Sequence, residues 1–120
     1  MKRTLSTNIH LRKLVSILKK KSIENNANIW NYIAEQLAAP RRKRVVVNVG
    51  KINRYTSAND IVVVPGKVLG AGVINHPVVV AAFSFSSSAF DKIKRVNGSC
   101  ISIIDLLTIN PKGSGVKILR

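Results

Sequence analysis

Apolar residues recur along the first third of the chain at helical spacing. Leu11, Leu14, Val15 and Leu18 fall at i, i+3, i+4 and i+7, one face of a 3.6-residue period. The pattern predicts a helix from about Ile9 to Lys21, with Thr7 or Asn8 accepting from an orphan N–H at its start. Arg12, Lys13, Lys19 and Lys20 fall off the stripe. Asn25, Asn26 and Asn28 make a polar turn, and Asn28 is placed to cap a second helix with Trp30, Ile33, Ala34 and Leu37 as its stripe. Trp30 reads as a core anchor between the two helices rather than a base-stacking ring. Pro40 ends the second helix by disfavouring α geometry at Ala39.

From Val45 the period changes. Val45, Val46, Val47 and Val49 read as a strand, followed by a helical turn over Gly50 to Tyr55 and a turn at Ser57 to Asp60. Ile61 to Val64 is a buried strand that Pro65-Gly66 should stop, since Pro65 has no N–H and Gly66 can take the positive φ of a type II turn. Gly66 to Gly72 then reads as a tight, cationic loop around Lys67. Val78 to Phe85 is apolar on both faces through Phe83, as in an interior strand. Ser88 and Asp91 have capping-box spacing before the stripe Ala89, Ile93 and Val96, which Asn97-Gly98 stops. Ser99 to Ile101 is a short strand, Ser102 and Asp105 repeat the capping box before a short helix, and Val116 to Leu119 can pair as a last strand. Val45–Pro65, Val78–Gly98 and Ser99–Leu119 thus share a strand-then-helix rhythm, the first and third adding a further strand.

These elements fit one domain over residues 1–120: a flexible basic tail at 1–7, a two-helix part at 8–39 and an α/β core at 44–120. Charge then narrows the partner. Twenty Lys and Arg stand against five acids, giving +15, and thirteen of the twenty cations precede residue 55. That imbalance opposes compaction unless a polyanion neutralises it, which favours nucleic acid over an anionic membrane surface. The six aromatics are too scattered for a protein that stacks successive bases on rings. No apolar run approaches the roughly 18 residues of a membrane span, and no apolar signal region follows Met1-Lys2-Arg3, so a cytoplasmic protein is expected. Cys100 is the sole cysteine and reads as a small buried hydrophobe.

Little chemistry can be built from the remainder. The Gly66 to Gly72 loop lacks the G-x-x-x-x-G-K-[ST] and G-x-G-x-x-G spacings, so a structural turn is favoured over a nucleotide site. His10, His76 and Cys100 have no paired spacing for a metal, and five scattered acids give no catalytic set. The expectation is a protein with no catalytic residues, metal or cofactor.

Four stretches carry a resemblance: Pro40-Arg41-Arg42, Val62-Val63-Val64-Pro65-Gly66-Lys67-Val68-Leu69-Gly70, Val80-Ala81-Ala82-Phe83, and Asn110-Pro111-Lys112-Gly113-Ser114-Gly115-Val116. Through them the chain resembles, nearly end to end, the large-subunit ribosomal protein family eighteen-e of archaea and eukaryotes, and its length looks archaeal. The resemblance implies an α/β fold shared with universal large-subunit protein fifteen, an irregular β-β-α superhelix-like core behind two N-terminal helices. It also implies a structural, non-catalytic constituent of the large ribosomal subunit. Its partners would be large-subunit ribosomal RNA and neighbouring ribosomal proteins, with no membrane and no small-molecule substrate. The expected RNA contacts are Arg41, Arg42, Lys43 and Arg44 with Lys51, Arg54 and Lys67, then Arg12, Lys13, Lys2 and Arg3, then Lys112. The competing reading is a small enzyme or nucleotide-binding module using the Gly66–Gly72 loop. A third is a membrane-surface binder using the first helix.

Overall fold

The computed structural model describes residues 2–39 and 45–120, with side chains from Leu11 onward. Two helices open the chain, α1 (Lys2–Glu24) and α2 (Asn28–Leu37). Leu11 and Leu18 of the predicted stripe are buried against α2, and Leu14 and Val15 pack on the same cluster. α1 starts at Lys2 instead of near Ile9, so the residues expected as a tail are helical from Lys2 on. The apolar stripe marks where a helix is packed, and residues 2–8 contain no proline or glycine to stop it sooner.

Asn28 is not the cap of α2; it is the first helical residue, and Ala27 stands before it with no side-chain cap. The turn is closed by Ser22 instead. Its Oγ donates to the Ala27 carbonyl at 2.9 Å, and Ala27 N–H donates to the Ser22 carbonyl at 3.0 Å.

The five strands described are β1 (Val45–Asn48), β2 (Ile61–Leu69), β3 (Val79–Phe85), β4 (Ser99–Ser102) and β5 (Val116–Ile118), and every pairing is parallel. β2 lies at the centre. β3 and then β4 extend the sheet on one side. On the other, β5 pairs with Ile61–Val63 and β1 with Gly66–Leu69, end to end along the same strand. The strand-helix rhythm is present: β1 leads to α3 (Val49–Tyr55) and β2, β3 to α4 (Ser87–Arg95), and β4 to α5 (Ile103–Ile109) and β5.

Alternation along the central strands sends side chains to two cores. Val62, Val64, Val68, Val80 and Ala82 face α3 and α4, meeting Val49, Ile52, Ala89 and Ile93. Val63 and Ala81 face α1, α2 and α5, meeting Trp30, Ile33, Leu37, Ile103 and Leu106. The architecture is therefore a three-layer α/β arrangement around a parallel sheet, which is why both faces of the central strands are apolar.

β2 does not stop at Pro65-Gly66. It runs through both residues to Leu69, with a register shift against β3 between Val64 and Lys67. Pro65 has a register partner in neither neighbouring strand, so its missing N–H breaks no ladder bond. Gly66 is not in the left-handed region, and the expected type II turn is absent. Glycine is needed there for another reason: a Cβ on Gly66 would stand 2.0 Å from the Val45 carbonyl oxygen of β1.

The later caps divide. Ser102 accepts from Asp105 N–H at 3.0 Å, as the spacing predicts. At α4 the cap is Ser86, which accepts from Ala89 N–H at 3.1 Å, and not Ser88. β3 ends at Phe85, so Ser86 is the first serine of the run free to turn away from the sheet.

Candidate nucleic-acid interface

Where β1 passes into α3, the chain meets the Gly70–Gly72 loop, and two residues hold the two together while a third grips the loop from α4. Asn48 Oδ1 accepts from Ala71 N–H at 3.2 Å, and Gly50 N–H donates to the Ala71 carbonyl at 3.0 Å. From α4, Lys92 Nζ donates to the carbonyls of Gly70 at 2.6 Å and Gly72 at 2.9 Å. The backbones come within glycine distance: a Cβ on Gly72, whose φ is +94°, would stand 2.7 Å from Gly50 Cα. All three loop carbonyls are thus committed inward. Gly66–Leu69 lie in β2 and no helix stands between Leu69 and β3, so the stretch lacks the helix that a phosphate loop opens.

Beside this clamp lies a cleft of about 340 Å³. Lys51 and Arg54, both expected RNA contacts, line it together with Val46, Asn48, Ala71 and Gly72. Lys51 Nζ is oriented by the main-chain oxygen of Arg120, whereas the Arg54 side chain is exposed and makes no hydrogen bond or ion pair with another described residue. The structure therefore brings two of the expected contacts together on α3.

The other expected residues are spread over the surface. Lys67 is exposed on β2 next to its exposed β1 partner Val46. Both line a second groove with Phe83, floored by Leu11 and Leu37. Arg12 and Lys13 project from α1 into solvent, as do Lys19 and Lys20. Lys112 is exposed, and its Nζ donates to the Asn25 carbonyl at 3.3 Å, tying the last loop to the α1–α2 turn. Lys2 and Arg3 lie on the first turn of α1, with side chains outside the described residues; Arg41, Arg42, Lys43 and Arg44 also lie outside them.

Sequence reasoning missed Asn48 and Lys92. An Asn ending a strand just before a helix signals an N-cap. Asn48 does occupy that position, but it makes no capping bond and spends its oxygen on the loop. Lys92 reads as one more surface cation, and only the approach of α4 to the loop makes it structural.

Few acids neutralise these cations. Among the described residues, the ion pairs are those of Lys20 and Lys21 with Glu24 and of Lys117 with Asp60. Ser57 N–H at 2.8 Å and Lys117 at 2.9 Å hold the Asp60 carboxyl below its usual range. Any stability from this group is therefore present above the ordinary carboxylate range and lost as the pH falls below that range through its lowered value. Partial burial pushes the Cys100 thiol up to about 11 against a smaller opposing pull from Lys94, so it stays protonated and unreactive at neutral pH. No described helix is long and apolar enough to cross a membrane, and the apolar stripe of α1 packs against α2.

The family model described as ribosomal protein 60S L18 and 50S L18e matches residues 1–120. The large ribosomal subunit protein eL18 of Methanococcus maripaludis is 50% identical over 119 residues, covering 99% of each chain. That of Methanoregula boonei is 50% identical over 121 residues and the whole of both chains. That of Archaeoglobus fulgidus is 50% identical over 113 residues, 94% of this chain and 97% of the relative. The chain therefore belongs to the ribosomal protein 60S L18 and 50S L18e family, structural constituents of the large ribosomal subunit rather than enzymes.

Proposed function

We propose that this chain binds large-subunit ribosomal RNA in the cytoplasm through an uncompensated cationic surface carried on a preformed α/β scaffold. The observation that carries the reading is the pairing of +15 net charge with exposed cations that meet almost no acids among the described residues. A surface of that kind gains affinity by neutralising phosphates and releasing their counterions. Structured RNA is recognised by shape, backbone and 2′-hydroxyl contacts, which asks for few aromatics. The proposed contacts are Arg41, Arg42, Lys43 and Arg44 with Lys51, Arg54 and Lys67; Arg12, Lys13, Lys2 and Arg3 extend the surface along α1, and Lys112 adds a further point. Exposed Ile17, Ile23, Ile104 and Ile109 offer apolar area to neighbouring ribosomal proteins.

Salt dependence tests the reading. Changing Arg41 and Arg42 together to alanine is expected to lower the salt slope of ribosomal-RNA binding by about 1.5, at about 0.7–0.9 for each phosphate no longer neutralised. An unchanged slope removes the run from the interface.

Lys67 supplies a matched test inside the described structure. Its side chain is exposed and makes no hydrogen bond or ion pair with another described residue, so Lys67→Ala is expected to leave folding stability within about 0.5 kcal/mol of wild type. RNA binding should weaken, with the slope falling by about 0.7–0.9. Loss of stability without loss of binding would make Lys67 part of the scaffold.

A further inference from the structure

We propose that the cleft between the end of β1, α3 and the Gly70–Gly72 loop grips one unstacked nucleotide of the bound RNA. Its phosphate sits on Lys51 and Arg54, and a carbonyl on the edge of its base accepts from the Asn48 side-chain amide. The proposal rests on the RNA-binding reading and names a single-nucleotide site within it.

Size is the first support. At about 340 Å³ the cleft falls at the lower end of the range for small-ligand sites, about 300–1,000 Å³.

Hydrogen-bond accounting is the second. The acceptors of the loop are consumed: the carbonyls of Gly70 and Gly72 by Lys92, and that of Ala71 by Gly50 N–H. Asn48 Oδ1 is consumed by Ala71 N–H, which fixes the amide orientation and leaves its NH₂ with no bonded acceptor in the described structure. Arg54 gives none of its guanidinium donors to a described residue, and Lys51 Nζ has donors beyond the one given to Arg120. The remaining polar capacity is therefore on the donor side. A ligand that matches it is anionic and acceptor-rich, as a nucleotide phosphate with a base carbonyl is.

Preorganisation is the third. Asn48 is the N-cap residue of α3 but is withheld from capping, and Lys92 clamps the loop from the opposite side. The Asn48 amide is therefore held before any ligand arrives, so little of its ordering cost falls on binding. Val46, 54% exposed at the rim, offers an apolar surface for the base or ribose.

The decisive variant is Asn48→Asp in the full-length protein. A carboxylate still accepts from Ala71 N–H, so the loop stays clamped, while the free donor becomes an acceptor with negative charge. Asn53→Asp is the matched control. Asn53 Oδ1 accepts from Asn75 N–H at 3.1 Å, within the adjoining α3 and outside the cleft, so Asn53→Asp adds the same charge with the same kind of bond kept. Large-subunit ribosomal RNA should bind about tenfold or more weakly to Asn48→Asp, the effect of removing a donor beside a charge, and within about threefold of wild type to Asn53→Asp.

In ¹⁵N NMR titrations, uridine 5′-monophosphate should shift the Asn48 side-chain amide and Arg54, whereas inorganic phosphate should shift Arg54 and leave the Asn48 amide in place. If Asn48→Asp loosens the fold, Arg54→Gln gives the same answer from an exposed side chain. It should abolish the phosphate-induced shifts at the cleft and lower the RNA salt slope by about 0.7–0.9. Equal loss in the two Asp variants, or nucleotide shifts confined to α1 with the Asn48 amide unmoved, overturns the cleft and leaves general RNA binding standing. A wild-type protein that binds no ribosomal RNA overturns both.

Discussion

Gly66→Ala is expected to lower folding stability by about 3 kcal/mol or more, the upper end of what overpacking costs, and to lower the melting temperature by about 10 °C. The added Cβ would lie 2.0 Å from the Val45 carbonyl oxygen, 2.8 Å from its carbon and 3.0 Å from its Cβ. Two of those three atoms are main chain, so no side-chain rotation relieves the clash. β1 must retreat from β2, and the Val45–Gly66 to Asn48–Leu69 register is the only hold β1 has on a described strand. Asn48 is at the far end of that register, so the clamp on Ala71 should loosen as well. Thermal unfolding monitored by circular dichroism measures the effect. A melting temperature unchanged from wild type would show that the two strands separate at little cost.

Trp30→Ala is expected to cost about 3–5 kcal/mol, as large aromatic truncations in a core do. Trp30 is fully buried among Leu18, Ile33, Leu37, Leu106 and their neighbours, where α1, α2 and α5 meet the sheet. Its Nε1–H also donates to the Pro111 carbonyl at 2.7 Å, so the indole holds the Pro111–Gly115 loop as well as the helices. Trp30→Phe separates the two roles: it keeps most of the apolar volume, loses the hydrogen bond and should cost about 1–2 kcal/mol. Because the ring is already buried, RNA should leave its fluorescence nearly unchanged. Emission typical of a water-exposed indole, quenched on adding RNA, would transfer Trp30 from the core to the interface.

The two substitutions differ in how far the sequence foretold them. The helical stripe places Trp30 in the core without any structure, because a 3.6-residue period fixes which side chains share a face. Only the return of residues 111–115 past α2 supplies the carbonyl that its N–H needs. For Gly66 the direction of the effect follows from Pro65-Gly66, but the cause does not. A proline and a glycine stop a strand when the ladder needs the proline N–H, and that need depends on which strands lie alongside. Here β5 leaves β2 after Val63 and β1 joins at Gly66, so Pro65 falls in the gap between them.

The candidate site divides in the same way. The excess of cations and their concentration before residue 55 are properties of composition, and they favour a polyanion as partner without reference to any fold. Spacing also determined the packed parts of α1 and α2, the cap at Ser102, the strand-helix rhythm and the buried character of β2 and β3, because each follows from local periodicity or local hydrogen bonding. Tertiary structure alone decided that the described strands all pair parallel, that Lys92 and Asn48 clamp the Gly70–Gly72 loop, and that Lys51 and Arg54 share a cleft with the Asn48 amide. The clamp joins residues 20 or more positions apart, and the energy that sets it lies in contacts between elements, which no short window of the chain contains.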